Sequence, residues 1–284
     1  MSWRKREKKQ RRPALILRLV RRMGWEPGRV MREVLEWIEV LAVAAALAAV
    51  IMTFITVRMH VPTGSMIPTI DPKDSFFVDR LTYYFRDPKP GDIIVFRHTE
   101  QVYSKSIVAG SLAASAGVPD SVRLLYLNSE PVYSTAYIDG RLASWPEGSA
   151  LSLTTADGQR FDLGKKTAGM ETLEDLGLVT REKRMRYVKR LIAVGGQTVQ
   201  IRDGAVYVDG ERLTGDAFDR TYYSSDPRFQ FGVEPTLVPD GHYFVLGDNS
   251  RDSFDSRYWG FVADRDIIGV PYLRVWPLDR FGPM

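Results

Sequence analysis

A chain of 284 residues, 44% hydrophobic and 26% charged, is long enough for one large or two small domains and has a globular composition. It contains no cysteine, which excludes disulfides, thiolate catalysis and cysteine-bound zinc or iron–sulfur centres. The net charge of +4 conceals an asymmetry: residues 1–36 hold twelve of the 39 Lys/Arg and four of the 35 acids, leaving 27 basic and 31 acidic residues over 37–284. No basic field covers the folded part, so nucleic acid is not an expected partner.

The chain opens on a run of charges from Arg4 to Arg12 that reads as a solvated tail. Leu15, Ile16, Leu19, Val20 and Met23 then recur at roughly helical spacing, with Arg18, Arg21 and Arg22 between them. Two readings stand for 14–23: a basic interfacial helix on anionic lipid, or a poorly ordered juxtamembrane segment. From Val40 to Val57 no residue is charged, and as a helix these residues span about 27 Å at ~1.5 Å per residue, enough to cross a bilayer. With Trp37 and Ile38 ahead of it and no small-residue cleavage site after it, the stretch 37–57 reads as a retained transmembrane anchor. Residues 1–36 then form a basic cytoplasmic tail, and the positive-inside pattern places 58–284 outside.

Beyond the anchor, short β-like runs at 75–78, 92–96, 188–194, 198–201, 205–208 and 243–246 alternate with turn signals, so the expected fold is mostly β. Asp203-Gly204 and Asp209-Gly210 punctuate a hairpin-like stretch. Residues 99–185 differ, being small and polar around 104–115 and turn-rich afterwards, and read as an inserted β-rich cap subdomain. Phe76-Phe77-Val78 and the run 81–85 are either core strands or an apolar patch that rests on lipid.

The chemistry lies in three blocks. Ser65 sits in Val61-Pro62-Thr63-Gly64-Ser65-Met66-Ile67-Pro68-Thr69, and a serine hydroxyl is a weak nucleophile until a base takes its proton. Lys189, in Tyr187-Val188-Lys189-Arg190-Leu191-Ile192, lies in a strand-like apolar setting where burial favours the neutral amine. Taken singly, Ser65 reads as a turn residue and Lys189 as a solvent-facing strand residue. The third block is Gly247-Asp248-Asn249-Ser250-Arg251-Asp252-Ser253-Phe254-Asp255-Ser256-Arg257. The three histidines, His60, His98 and His242, show no tight spacing with carboxylates that would hold a metal, and Ser65 lacks a G-x-S-x-G elbow.

In this order after one span, the blocks resemble those of bacterial type I signal peptidases, Ser-Lys serine proteases, over the anchor and roughly two-thirds of the chain. The resemblance implies Ser65 as nucleophile and Lys189 as general base. It further implies that the Thr63 hydroxyl and the Ser65 backbone N–H donate to the oxyanion, and that Ser253 hydrogen-bonds the lysine ammonium. Asp255 and Arg257 would brace the site, the alternative being an ordinary surface ion pair. Gly64, Met66 and Tyr187 fall at substrate-binding positions. The implied substrates are signal-peptide-bearing preproteins with small side chains one and three residues before the cut. The implied partners are cytoplasmic membrane lipids and the secretion translocon, and no cofactor or metal is required. Two departures mark this chain: the insert of nearly ninety residues, and Ser250 where arginine is usual. Two other readings accompany the first, a specialised peptidase that matures conjugation or pilus proteins and a catalytically silent membrane scaffold.

Overall fold

The computed structural model describes residues 15–284; the basic run 4–12 lies outside them. The chain divides into two compact units, the first ending at Val57 and the second beginning at Arg58.

In the first unit, Leu15–Arg22 is a helix, so the apolar positions Leu15, Ile16, Leu19 and Val20 lie on regular structure. Its first two free backbone N–H groups, those of Leu15 and Ile16, donate to the Glu39 carboxylate at 2.9 and 2.8 Å, which supplies partners that a helix N-terminus lacks. A second helix, Arg29–Val50, runs on into a π-helical turn, Ile51–Ile55. Together they give 27 residues, about 40 Å at ~1.5 Å per residue. The helix starts eight residues ahead of the first residue of the expected anchor, because Arg29, Arg32, Glu33 and Glu36 are good helix formers and only apolarity changes at Trp37. None of its residues is buried by the protein, unlike the core helix of a soluble fold. Its apolar surface is long enough to meet a bilayer.

The second unit is built on antiparallel β-structure. Its central ladder pairs Ile93–Ile107 with Leu178–Val194, with Ile94 opposite Lys189 and Phe96 opposite Tyr187. His242–Leu246 pairs with the far end of the second strand, opposite residues 190–194. Ile267–Trp276 pairs with both Ser75–Asp79 and the start of Ile93–Ile107. Strand Ser75–Asp79 buries Phe76 and Val78 completely, so this run is core. Tyr84 and Phe85 project from a short helix and are more than four-fifths exposed. A smaller sheet carries the expected hairpin: Thr198–Arg202 and Ala205–Val208 are joined through Asp203 and Gly204, both at positive φ (51° and 75°), the backbone that two-residue hairpin turns demand.

The insert grows out of the central ladder. Residues 99–107 and 178–185 belong to the two long strands, and Ile107 still pairs with Leu178. What lies between them, 108–177, folds around its own core of Leu124, Leu127, Ile138, Leu142, Leu151 and Leu153. It combines strands Arg123–Leu127, Ala150–Thr155 and Arg160–Lys165 with the helix Thr135–Ser144. The buried Lys166 ammonium holds that helix's C-terminus, donating to the carbonyls of Leu142 (2.7 Å), Ala143 (3.2 Å) and Trp145 (2.6 Å). These are carbonyls the helix cannot satisfy itself.

Candidate active site

Ser65 and Lys189 are 124 residues apart in sequence, and the fold brings them into hydrogen-bond contact: Lys189 Nζ stands 2.7 Å from Ser65 Oγ. Both are buried, at 6% and 4% exposure. Around Lys189 its strand is apolar, with Val188, Leu191 and Ile192 buried. Burial pushes the Lys189 ammonium down to about 8, against the pull of the Asp255 and Asp248 carboxylates and with help from the Arg257 guanidinium. Desolvation disfavours the charged amine more strongly than these carboxylates favour it.

The loop that presents Ser65 is held from outside by the third block. Asn249 N–H donates to the Ser65 carbonyl at 3.0 Å, and Asn249 Nδ2 donates to the Gly64 carbonyl at 3.1 Å. Gly247 is packed so closely that a Cβ there would lie 2.2 Å from Ser253 Oγ and 2.5 Å from the Ser65 carbonyl oxygen. Only glycine fits. One residue on, the fully enclosed Asp248 carboxylate accepts from Arg190 Nε (2.7 Å) and Nη2 (2.6 Å), and also binds Arg220 and Thr69. It thereby ties the lysine strand to the end of the serine loop. Gly247, Asp248, Asn249 and Arg190 brace the Ser65 loop and the Lys189 strand, a part the sequence analysis did not assign to them. Their signal was the Gly-Asp-Asn triplet at the end of a strand, directly before the Ser253 segment.

The other expected site residues fall into three groups. Thr63, Tyr187 and Ser253 line the same cleft as Ser65 and Lys189, a space of about 600 Å³. Thr63 is exposed there; Ser253 Oγ is buried without a hydrogen-bond partner among the described residues, and Lys189 Nζ turns instead to Ser65 and to the Val188 carbonyl at 3.2 Å. Asp255 and Arg257 are fully buried and paired through two contacts of 2.8 Å, so the surface-pair alternative does not hold. Arg257 also donates to Ser250 Oγ (2.8 Å), Ser250 O (2.8 Å) and Tyr223 O (2.9 Å), while Asp255 accepts from Gly247 N–H at 3.0 Å. Ser250 at the altered position is therefore a buried hydrogen-bond partner of Arg257.

Met66 and Gly64 lie outside the cleft's lining. Met66 is completely buried, because its side chain plugs the core under the serine loop; any influence on substrate passes through that loop. A Cβ at Gly64 would press on Ile67 at 3.0 Å, with Asp252 Oδ2 at 3.5 Å, so this glycine serves the fold of the loop itself.

None of the three histidines lines the cleft. His98 comes nearest, its ring 4.9 Å from that of Tyr187 and 4.3 Å from that of Trp259. Burial, with the Lys189 and Arg184 charges, pushes it down to about 3, so it stays neutral across the physiological range. No group of three or more His, Asp or Glu among the described residues could hold a metal ion.

Over residues 34–276 the chain matches the family described as signal peptidase, peptidase S26. A signal peptidase I of Mycobacterium tuberculosis is 31% identical over 283 residues, covering 90% of this chain and 78% of that relative. A signal peptidase I of Leptolyngbya laminosa is 26% identical over 250 residues, covering 88% and 83%. Signal peptidase I T of Bacillus subtilis is 32% identical over 144 residues, covering 47% of this chain and 73% of that relative.

Proposed function

Because this chain belongs to the signal peptidase family, peptidase S26, and is a serine endopeptidase, we propose that it removes signal peptides from exported preproteins with Ser65 as nucleophile and Lys189 as general base. The observation that carries this reading is the 2.7 Å approach of Lys189 Nζ to Ser65 Oγ, in a buried setting that brings the ammonium down to about 8. The neutral amine accepts the Ser65 proton as Oγ attacks the scissile carbonyl. Charge then develops on the carbonyl oxygen, where the Ser65 N–H and the Thr63 hydroxyl donate. Such donors supply about 2.7–4 kcal/mol each in comparable sites. The lysine ammonium protonates the departing amine, leaving signal peptide esterified to Ser65 and the mature protein free. Water, losing its proton to the restored neutral amine, attacks the ester and releases the signal peptide.

In this reading Asp255, Arg257, Asp248 and Asn249 hold the two reacting groups in place, and Ser253 orients the lysine once it is protonated. Tyr187, on the cleft wall two residues from Lys189, limits the room for substrate side chains near the cut. The apolar helix 29–55 anchors the protein in a bacterial cytoplasmic membrane, N-terminus inside and catalytic unit outside. Membrane lipids and the translocon that delivers preproteins are its natural neighbours there. The scaffold alternative is disfavoured by the buried amine held against a hydroxyl, an arrangement a silent protein has no physical reason to maintain.

The pH dependence of kcat/KM tests the reading. A base near 8 is about one-tenth deprotonated at pH 7, whereas an ordinary lysine near 10.4 is deprotonated in roughly one molecule in 2,500. The rate should rise with pH along an acid limb centred near 8 and level off above it. Lys189→Arg should be folded and inactive, since guanidinium does not deprotonate. A limb centred near 6.5 that vanishes when His60, His98 and His242 are replaced together would make a histidine the base.

A further inference from the structure

The cleft does not stop at the reacting groups. Beyond Tyr187 it continues to Met185, Phe254 and three residues of the insert, Tyr126, Pro131 and Tyr133. Side chains on a strand alternate between faces, so Met185 shares the face of Tyr187 and Lys189. It lies four residues from the lysine, about 14 Å at ~3.4 Å per residue. Met185, Phe254 and Tyr126 are 42%, 40% and 44% exposed, an apolar stretch left open next to the site that handles substrate. The insert is fastened to this wall: the Tyr133 ring packs edge-on against Phe254 at 5.5 Å, and Thr135 N–H, at the start of the insert helix, donates to Glu182 of the lysine strand at 2.9 Å. The stretch ends in polar ground, where Glu100 pairs with Lys183 at 3.3 Å.

We propose that the insert lengthens the substrate cleft into an apolar outer subsite, walled by Met185, Phe254, Tyr126 and Tyr133, that takes a bulky aliphatic or aromatic side chain of the preprotein about four residues from the scissile bond. The occupant follows from continuity. One extended polypeptide already lies against Ser65 and Lys189 in the proposed reaction, advances ~3.4 Å per residue as the strand beside it does, and reaches Met185 after four. The stem of Met185 is flexible and its sulfur polarizable, so the pocket accommodates more than one apolar shape. The small residues at the cut and a large residue farther out would then be read by different parts of the protein, the family core and the insert. This subsite rests on the proposed reaction for its occupant, yet its effect can be read without any turnover.

The test uses full-length Ser65→Ala protein in detergent micelles. Fluorescent peptides carry alanine one and three residues before the cut and Leu, Phe or Ser placed singly at the third to sixth positions on either side. Anisotropy should show Leu and Phe binding roughly tenfold tighter than Ser at the fourth or fifth position on one side, the scale that partial burial of such a side chain supplies. Met185→Glu and Tyr133→Ser, each checked for an unchanged Tm, should bring the ratio below about twofold. In the protein with Ser65 intact the same preference should enter through KM. Equal binding of Leu and Ser peptides at every position overturns the subsite, as does a preference that survives both substitutions. Cleavage without the preference sinks the subsite alone, and the preference without cleavage sinks the Ser65–Lys189 reaction while leaving the subsite standing.

Discussion

As an ammonium, Lys189 is a cost to the fold. Its folded pKa falls from 10.5 to about 8 because burial removes the ammonium from water. The unfolded chain therefore binds more protons than the folded one between about pH 8 and 10.5, and stability rises with pH across that window. Below it the full cost applies, on the order of 3 kcal/mol at ~1.4 kcal/mol per pH unit. Lys189→Met should accordingly be inactive yet more stable than the parent at pH 7, and this advantage should shrink to nothing as pH is raised through 8 towards 10.5. Thermal melts of both proteins across that range measure it directly. A variant that is less stable at pH 7, or whose advantage does not change with pH, contradicts the lowering of the Lys189 ammonium by burial. The pairing of Ser65 with Lys189 was legible in the sequence as a candidate because short blocks of unusual composition surround each one. Met66 was not: its neighbour in the serine block faces the cleft, but the turn of the loop sends this side chain into the core, and no pattern in nine residues announces that.

The elements show where a sequence reading of boundaries loses its grip. Residues 97–107 and 178–186 are rich in Arg, Glu, Lys, Ser and Thr, so each looked like the margin of an insert, yet they belong to two continuous strands and pair with one another from Arg97 opposite Arg186 to Ile107 opposite Leu178. Main-chain hydrogen bonds carry such a ladder whatever the side chains, and exposure on both faces from Lys183 to Arg186 erased the period-two signal. The hairpin at Asp203-Gly204 was legible because its turn residues have a specific backbone requirement. The same geometry defines a deletion: joining Ile107 to Leu178, already paired, through a short Gly/Ser turn removes 108–177 at the natural end of the ladder. That variant should fold and still hydrolyse a short peptide cut after small residues, because Ser65, Lys189, Asp248 and Asp255 all lie outside the excised stretch. Its discrimination between Leu and Ser at the outer position should disappear. A folded but inactive deletion would make the insert part of the catalytic core.

For the whole molecule, the distribution of charge and apolarity along the chain carries the argument. Twelve cations precede the apolar stretch that opens at Trp37, and the chain beyond them is mildly acidic; with 27 helical residues whose side chains the protein leaves uncovered, this asymmetry is what the proposed orientation rests on, by the positive-inside rule. Protease added to spheroplasts should digest the unit that begins at Arg58 and spare an epitope placed ahead of Leu15; the opposite pattern of protection would reverse the topology. The central claim, that one serine and one lysine brought together from distant segments cut signal peptides, is tested most directly by the mature product. Purified full-length protein is incubated with a preprotein whose signal ends in small residues, and the released chain is sequenced from its N-terminus. The parent protein should yield a single new N-terminus directly after the small residue, and Ser65→Ala and Lys189→Ala, both folded, should yield none. The same mature N-terminus released by Lys189→Ala at the parent's rate would contradict the account.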